Sequence, residues 1–249
     1  MKLVTFDEGR VGAVDGDEIA VLDVPTMRGY FERGGAGETG ERVPLSDARL
    51  RAPIVPKKFF HTAGNFREHE EESKQVGWSH KIAPWIVFFQ NVDAIVGPGE
   101  PVVYPEHLTE ELDYELELAV IIGKPGKWFG PEDAMDYVAG YVIFNDITAR
   151  DIQRREMESG VFSFCKAIDT FCPLGPWIVT DMRPECDSWR TSPLTRSCIA
   201  RSCGSGTSSG VTTHGPSGQN VSIALQKLKT PDRISRRWMS RAVMSLKIT

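Results

Sequence analysis

The sequence predicts a mainly β (α+β) fold, and three observations carry that expectation. Short runs rich in β-branched and aromatic residues recur between Gly, Pro, Asn and Asp clusters, the punctuation of strands and turns. The stretch Leu112–Ile122 alternates and then ends in Ala-Val-Ile-Ile, the pattern of a buried strand. Helix-favouring segments are few and short. A chain of 249 residues can bury a sizeable core, either as one large β-rich domain or as a small one plus a large one.

Taken in order, residues 1–24 read as short strands around the turn Val14-Asp15-Gly16-Asp17. Residues 25–50, polar and Gly-rich, read as a linker, so residues 1–52 are expected to form a small N-terminal β-subdomain. Lys58-Phe59-Phe60-His61-Thr62-Ala63 is a buried-strand candidate that stops at Gly64-Asn65. The charged run Arg67–Lys74 favours a helix capped by Asn65; with little apolar stripe it is weakly held to a core. Two short strands, Trp85–Phe89 and Val102–Tyr104, follow, with the turn Gly97-Pro98-Gly99-Glu100 between them. Pro131 at N1, with Glu132 and Asp133 in the first turn, predicts a helix ending near Gly140. A strand then ends at Asn145-Asp146, Ala149–Arg155 reads as a helical turn, and Trp177–Thr180 as a last strand.

Composition narrows the function classes. With 41% hydrophobic and 25% charged residues the chain has a globular composition. No apolar run approaches membrane-spanning length, and the N-terminus lacks a signal-peptide core, so a cytoplasmic protein with no membrane partner is expected. The five cysteines form no C-x-x-C pair and read as reduced. Residues 1–180 hold 18 basic and 30 acidic side chains, an acidic body that repels phosphates and argues against nucleic acid as a partner. No phosphate-binding Gly loop or G-x-S-x-G elbow is present.

The candidate chemistry lies in Leu112–Ile122. Successive strand side chains alternate faces, so Glu115 and Glu117 project to one side and Leu116 and Leu118 to the other, expected to be the core side. Two carboxylates about 7 Å apart along one face repel, and a protein that keeps them together supplies a cation or protonates one. Asp146, at the end of another strand, offers a third oxygen ligand. Three carboxylates with no His or Cys beside them suit Mg²⁺, Mn²⁺ or Ca²⁺. The alternative for Glu-x-Glu is a solvated strand face. On the polar helix, His69 and Glu72 are i,i+3 neighbours able to form an acid/base pair, or are merely solvated. Arg150 and Gln153 stand at i,i+3 on the later helical turn.

Five segments in order resemble the fumarylacetoacetate hydrolase family. They are Gly64-Asn65-Phe66-x-x-His69-x-x-Glu72, Ala94-Ile95-Val96-Gly97-Pro98-Gly99, Asp113-Tyr114-Glu115-x-Glu117-Leu118-Ala119, Asn145-Asp146-x-Thr148-Ala149-Arg150-Asp151-x-Gln153, and Lys166-x-x-Asp169-Thr170-Phe171-x-Pro173-Leu174-Gly175-Pro176. The resemblance covers about residues 56–180. It implies a mixed β-sandwich roll, usually a homodimer, with Mg²⁺ or Mn²⁺ held by Glu115, Glu117 and Asp146. It implies small 2-oxo or 1,3-dicarbonyl acid substrates, as in aromatic-compound catabolism, that are hydrolysed at C–C bonds, decarboxylated, hydrated or isomerised. All of these reactions need a stabilised enolate, which a chelating divalent ion provides as a Lewis acid. The resemblance makes His69 and Glu72 catalytic on a mobile lid. Lys166 and Arg150 would balance negative charge, Lys166 being otherwise an exposed loop lysine and Arg150 otherwise a structural partner of Asp151 or a strand-end carboxylate. Gln153 would orient water or the lid histidine. One departure is Gln90-Asn91, where many members carry a Lys-Pro-type pair.

The second departure is the C-terminus. Residues 181–249 contain 12 Ser, no Phe or Tyr, and 11 basic against 4 acidic residues, with Gly204-Ser205-Gly206-Thr207 the nearest approach to the family's Thr-Gly-Thr-Pro-like turn. The catalytic domain, residues 53–180, is therefore expected to be incomplete, and residues 181–249 an atypical basic tail. A shifted reading frame or a sequence error is the simplest account, and a genuine divergent tail is the alternative. The alternative function is then a non-catalytic metal-binding or misfolded relative. Val221–Leu228 is the only tail stretch expected to make an element, one that would not close a sheet.

Overall fold

The computed structural model describes residues 1–62, 87–160, 163–180 and 222–227. It opens with an antiparallel meander, β1 (Lys2–Phe6), β2 (Arg10–Asp15) and β3 (Glu18–Leu22). The β2–β3 turn is Gly16-Asp17, closed by the pair Asp15↔Glu18, and Gly16 sits at φ 59°, the left-handed region that such two-residue turns require.

The expected linker at residues 25–50 is instead structured. Thr26 caps helix α1 (Met27–Arg33) by accepting from the Gly29 amide at 3.0 Å, and Gly34 closes it at φ 76°. Only Met27 and Phe31 are buried, so the apolar stripe is too brief to register as helical periodicity. β4 (Glu38–Pro44), exposed at all but one position and carrying Glu38, Glu41 and Arg42, then pairs with β3 as the sheet's edge.

β5 (Lys58–Thr62), β6 (Val87–Phe89), β7 (Ile95–Val96), β8 (Leu112–Asp113), β9 (Leu116–Ile122) and β10 (Val138–Asn145) follow. The helix predicted over 131–140 is a 3₁₀ helix, Pro131–Tyr137, and Gly140 belongs to β10. A Cβ at Gly140 would lie 2.7 Å from Ile178 Cγ2, so a glycine there lets the neighbouring strand approach. The strand expected at Val102–Tyr104 reduces to a single bridge at Val102. The chain continues through β11 (Thr148–Ala149), α2 (Arg150–Glu158), α3 (Phe164–Ala167), β12 (Cys172–Pro173) and β13 (Ile178–Val179).

Among the described residues, ten strands form one mixed sheet in the order β4-β3-β2-β1-β13-β10-β9-β14-β5-β6. β14 (Ser222–Lys227) comes from the C-terminal segment, pairs antiparallel with β9 and parallel with β5, and so joins β5–β6 to the sheet. The stretch Val221–Leu228, expected to make a single element, supplies this strand, and among the described residues the sheet keeps open edges at β4 and β6; the rest of residues 181–249 lies outside the described residues. Two short pairs, β8–β11 and β7–β12, lie beside the sheet.

Both faces of the sheet are covered. Leu3, Phe59, Ala119, Ile121, Val142, Phe144 and Ile178 share the main cluster, while their strand neighbours Val4, Phe6, Val120 and Ile122 pack on the other face. Among the described residues, no helix is long and apolar enough to cross a membrane.

Candidate active site

The strand expected over Leu112–Ile122 is interrupted at Tyr114-Glu115, so β9 places Glu117 while Glu115 stands just before it, and neither lies as the alternation alone suggested. Glu117 lies on the same face as Ala119 and Ile121, the main core face, and is 6% exposed, whereas Leu116 and Leu118 are only partly buried. The expected division into a carboxylate face and a core face is therefore corrected: the carboxylates enter the core from its rim. The reason is that both faces of β9 are covered, so alternation cannot tell inside from outside.

The β9–β10 ladder sets the third carboxylate. Phe144 pairs with Glu117, and just past the end of β10 the Asp146 amide donates to the Glu115 carbonyl at 2.8 Å. Asp146 is 1% exposed. Its Oδ2 receives Lys166 Nζ at 2.5 Å, while its Oδ1 has no hydrogen-bond partner among the described residues. A buried carboxylate oxygen left so is costly unless another cation takes it. Burial alone would raise the Asp146 pKa; positive charge beside it, with Lys166 in direct contact, overrides that and holds the carboxyl below its ordinary range.

Lys166 is buried rather than an exposed loop lysine. At 4% exposure it donates to Asp146 and to Thr148 Oγ1 (2.6 Å), with Glu115 Oε2 at 3.5 Å. Burial favours the neutral amine, but Asp146 and Glu115 keep it charged and raise its pKa. Arg150, at the start of α2, reaches Glu115 Oε1 at 2.5 Å and Asp113 Oδ2 at 2.7–2.8 Å. Its partners are these strand carboxylates; Asp151 instead takes Thr109 and Arg155. Gln153, 6% exposed, accepts from Arg150 Nη1 at 2.8 Å and so orients the guanidinium.

The residue that sequence reasoning missed is His61, on β5. It contradicts the expectation of carboxylates with no His beside them: its Nδ1 lies 3.4 Å from Asp146 Oδ2 and 3.9 Å from Glu117 Oε2. The signal was an ionisable residue two positions after Phe59 in a buried run, on the same strand face. Its ring is stacked on Phe88, 4.5 Å between centroids, and lies nearly parallel to Phe59. His69 and Glu72 lie outside the described residues.

Among the described residues, His61, Glu117 and Asp146 offer ligand atoms all within 4.8 Å of one another, and all three are buried. Glu115 stands beside them but outside that group, its Oε1 held by Arg150. The site gathers three carboxylates against Lys166 and Arg150, the latter shared with Asp113. This donor set, its acidic excess and the bare Asp146 Oδ1 fit a divalent cation.

Two family models match: one described as fumarylacetoacetate (FAA) hydrolase C-terminal over residues 58–198, and one described as Rv2993c-like, N-terminal over residues 1–53. The chain is 36% identical over 185 residues to Protein Rv2993c of Mycobacterium tuberculosis, covering 71% of this chain and 67% of that one. It is 44% identical over 138 residues to the oxaloacetate tautomerase YisK of Bacillus subtilis, covering 54% of this chain but only 44% of that relative. Among solved structures, a maleylpyruvate hydrolase from Sphingobium sp. SYK-6, in complex with manganese(II) and pyruvate, superposes with a TM-score of 0.54 at 32% identity, covering 73% of this chain and 67% of that one.

Proposed function

The chain belongs to the fumarylacetoacetate hydrolase family, and from that premise we propose that it is a divalent-cation-dependent enzyme acting on a small 2-oxo or 1,3-dicarbonyl acid through an enolate. The reaction is C–C hydrolysis or an isomerisation, hydration or decarboxylation of the same substrate class. Glu115, Glu117 and Asp146 hold Mg²⁺ or Mn²⁺, and the active protein is a homodimer. The observation that carries this reading is the buried Asp146 carboxylate, with one oxygen on Lys166 and the other without a partner among the described residues. A relative that acts on oxaloacetate and a solved hydrolase holding manganese and pyruvate lend support.

A cation held there would supply Lewis acidity toward a 2-oxo acid substrate. The chain's own residues do the rest. Lys166 is a fixed buried cation whose charge lowers the cost of a developing enolate. Arg150, steered by Gln153 and Asp113, holds Glu115 and offsets anionic charge at the site's outer side. His69 and Glu72 move the proton, or activate water when the reaction is hydrolysis.

The test is to strip the full chain of metal, restore Mg²⁺ or Mn²⁺, and follow loss of enol absorbance with oxaloacetate, maleylpyruvate and related 2-oxo acids. Metal-restored turnover is the expected result. Bound metal without turnover of any of them would replace this reading with a non-catalytic metal-binding relative.

A further inference from the structure

We propose that His61 Nδ1 is a direct nitrogen ligand of the ion, set in its ligating tautomer by Gln90, so that this centre selects a first-row transition ion over Mg²⁺. The inference rests on the metal-site reading above and adds to it a ligand that the three-carboxylate set lacks.

The tautomer follows from a chain of hydrogen bonds. Gln90 is 6% exposed, and its amide nitrogen donates to the Lys166 carbonyl at 2.9 Å, which fixes the amide's orientation. Its oxygen is thereby turned to His61 Nε2, also at 2.9 Å. An amide oxygen only accepts, so the His61 proton sits on Nε2. In the neutral ring this leaves the Nδ1 lone pair pointing at Glu117 Oε2 and Asp146 Oδ2. Two carboxylate oxygens are poor neighbours for a lone pair, since neither donates a hydrogen bond. In the metal-free protein a second ring proton can bridge the gap, and a cation between the three atoms takes that proton's place.

The surroundings hold the ring for that task. His61 stacks on Phe88 at 4.5 Å with 14° between planes, and Phe144 meets it edge-on at 5.3 Å. A ring so fixed loses little freedom on coordination. The same Gln90 ties β5 to the Lys166 backbone, so the nitrogen ligand and the buried cation are held by one side chain. Imidazole in place of an all-oxygen shell favours Mn²⁺ or Fe²⁺ over Mg²⁺ or Ca²⁺.

The test is pulsed electron paramagnetic resonance on the full chain loaded with Mn²⁺, with Mn²⁺ and Mg²⁺ affinities by calorimetry. The parent should show the ¹⁴N modulation of a directly bound imidazole, absent in His61→Asn. The substitution should weaken Mn²⁺ binding about 10-fold or more while Mg²⁺ binding changes far less, and Gln90→Leu should weaken Mn²⁺ on the about 10–100-fold scale of lost outer-shell partners. Circular dichroism and the melting transition separate a lost ligand from a lost fold, and because the parent's ¹⁴N signal needs no variant, an unfolded His61→Asn leaves the test intact. Bound Mn²⁺ without ¹⁴N modulation in the parent overturns the assignment of His61 and leaves the carboxylate site standing. No Mn²⁺ binding by the folded parent overturns both.

Discussion

The same sheet is built in two ways at its two ends. In the β1–β4 region, Val4, Phe6, Ile19 and Val21 make an interior layer without charge, and the ion pairs, Arg10–Glu41 and Arg42 with Asp15 and Glu38, sit at the surface. Around β5, β9 and the end of β10 the interior itself is polar, holding His61, Glu117, Asp146, Lys166 and Gln90 at 6% exposure or less. Surface pairs are worth little and cost little, whereas buried charges carry a large desolvation penalty that only close partners offset. The first region is therefore organised by burial of apolar area, and the second retains a costly arrangement that apolar side chains would fill more cheaply. That difference is a reason to place chemistry in the second.

Substitutions in the two regions should separate stability from function. The largest effect is expected for Asp146→Ala, which should abolish metal binding and turnover; it also takes the closest partner from buried Lys166, so a loss of stability accompanies it while the apolar β1–β4 layer stays folded. Calorimetry checks it; unchanged Mn²⁺ affinity would show that the acidic centre is not the metal site. Phe6→Ala, in the apolar region, should do the reverse, costing about 3–5 kcal/mol of unfolding free energy with unchanged Mn²⁺ affinity in the protein that remains folded. Denaturant titration beside a metal titration reads both.

These contrasts bear on what the sequence disclosed. The hairpin at Gly16-Asp17, the β9 strand, Pro131 at a helix start and the Asp146 strand end were legible because each rests on local chemistry: turn residues, alternation, capping. Glu115, Glu117 and Asp146 were singled out as a possible ligand set from alternation and a strand end, whereas Lys166 was singled out only through a motif pattern whose spacings are long-range. Helix α1 was missed because seven residues with two buried side chains fall below what periodicity resolves. His61 was missed for a different reason. In Phe59-Phe60-His61 a single ionisable residue looks like packing, and it is β14, pairing with both β5 and β9, that sets β5 beside β9 and His61 within reach of Glu117. No local rule encodes which strand inserts between two others.

A smaller effect is expected at the proposed proton-transfer pair. His69→Ala should lower turnover about 10²-fold, the lower end for a general acid/base, without changing Mn²⁺ affinity. Equal turnover of variant and parent on each 2-oxo acid would remove His69 from the chemistry.

The smallest is structural and sits on the exposed side of the site. The Glu156 carboxylate accepts from the backbone amides of Ser163, Phe164 and Cys165 at 2.8–3.3 Å, capping α3, which carries Lys166. Partial burial raises its pKa, but the three amide donors outweigh that and lower it overall. A depressed folded-state pKa means stability that is present above the unfolded value, about 4.3, and is lost as pH falls through the folded one. Glu156→Ala should cost about 1 kcal/mol near neutral pH, the scale of a lost cap. Melting curves of parent and variant should converge in acid; a constant gap down to the lowest pH would show that the charge does not contribute.

On the function proposed above, the buried acidic centre around Glu117 and Asp146, with His61 beside it, is kept for a divalent ion. Equilibrium dialysis of the metal-stripped full chain against Mn²⁺ tests it most directly. One ion bound per chain, and none in Asp146→Ala that retains the parent's circular dichroism, is the predicted result. No bound ion in the folded parent, or equal binding in parent and variant, would contradict it.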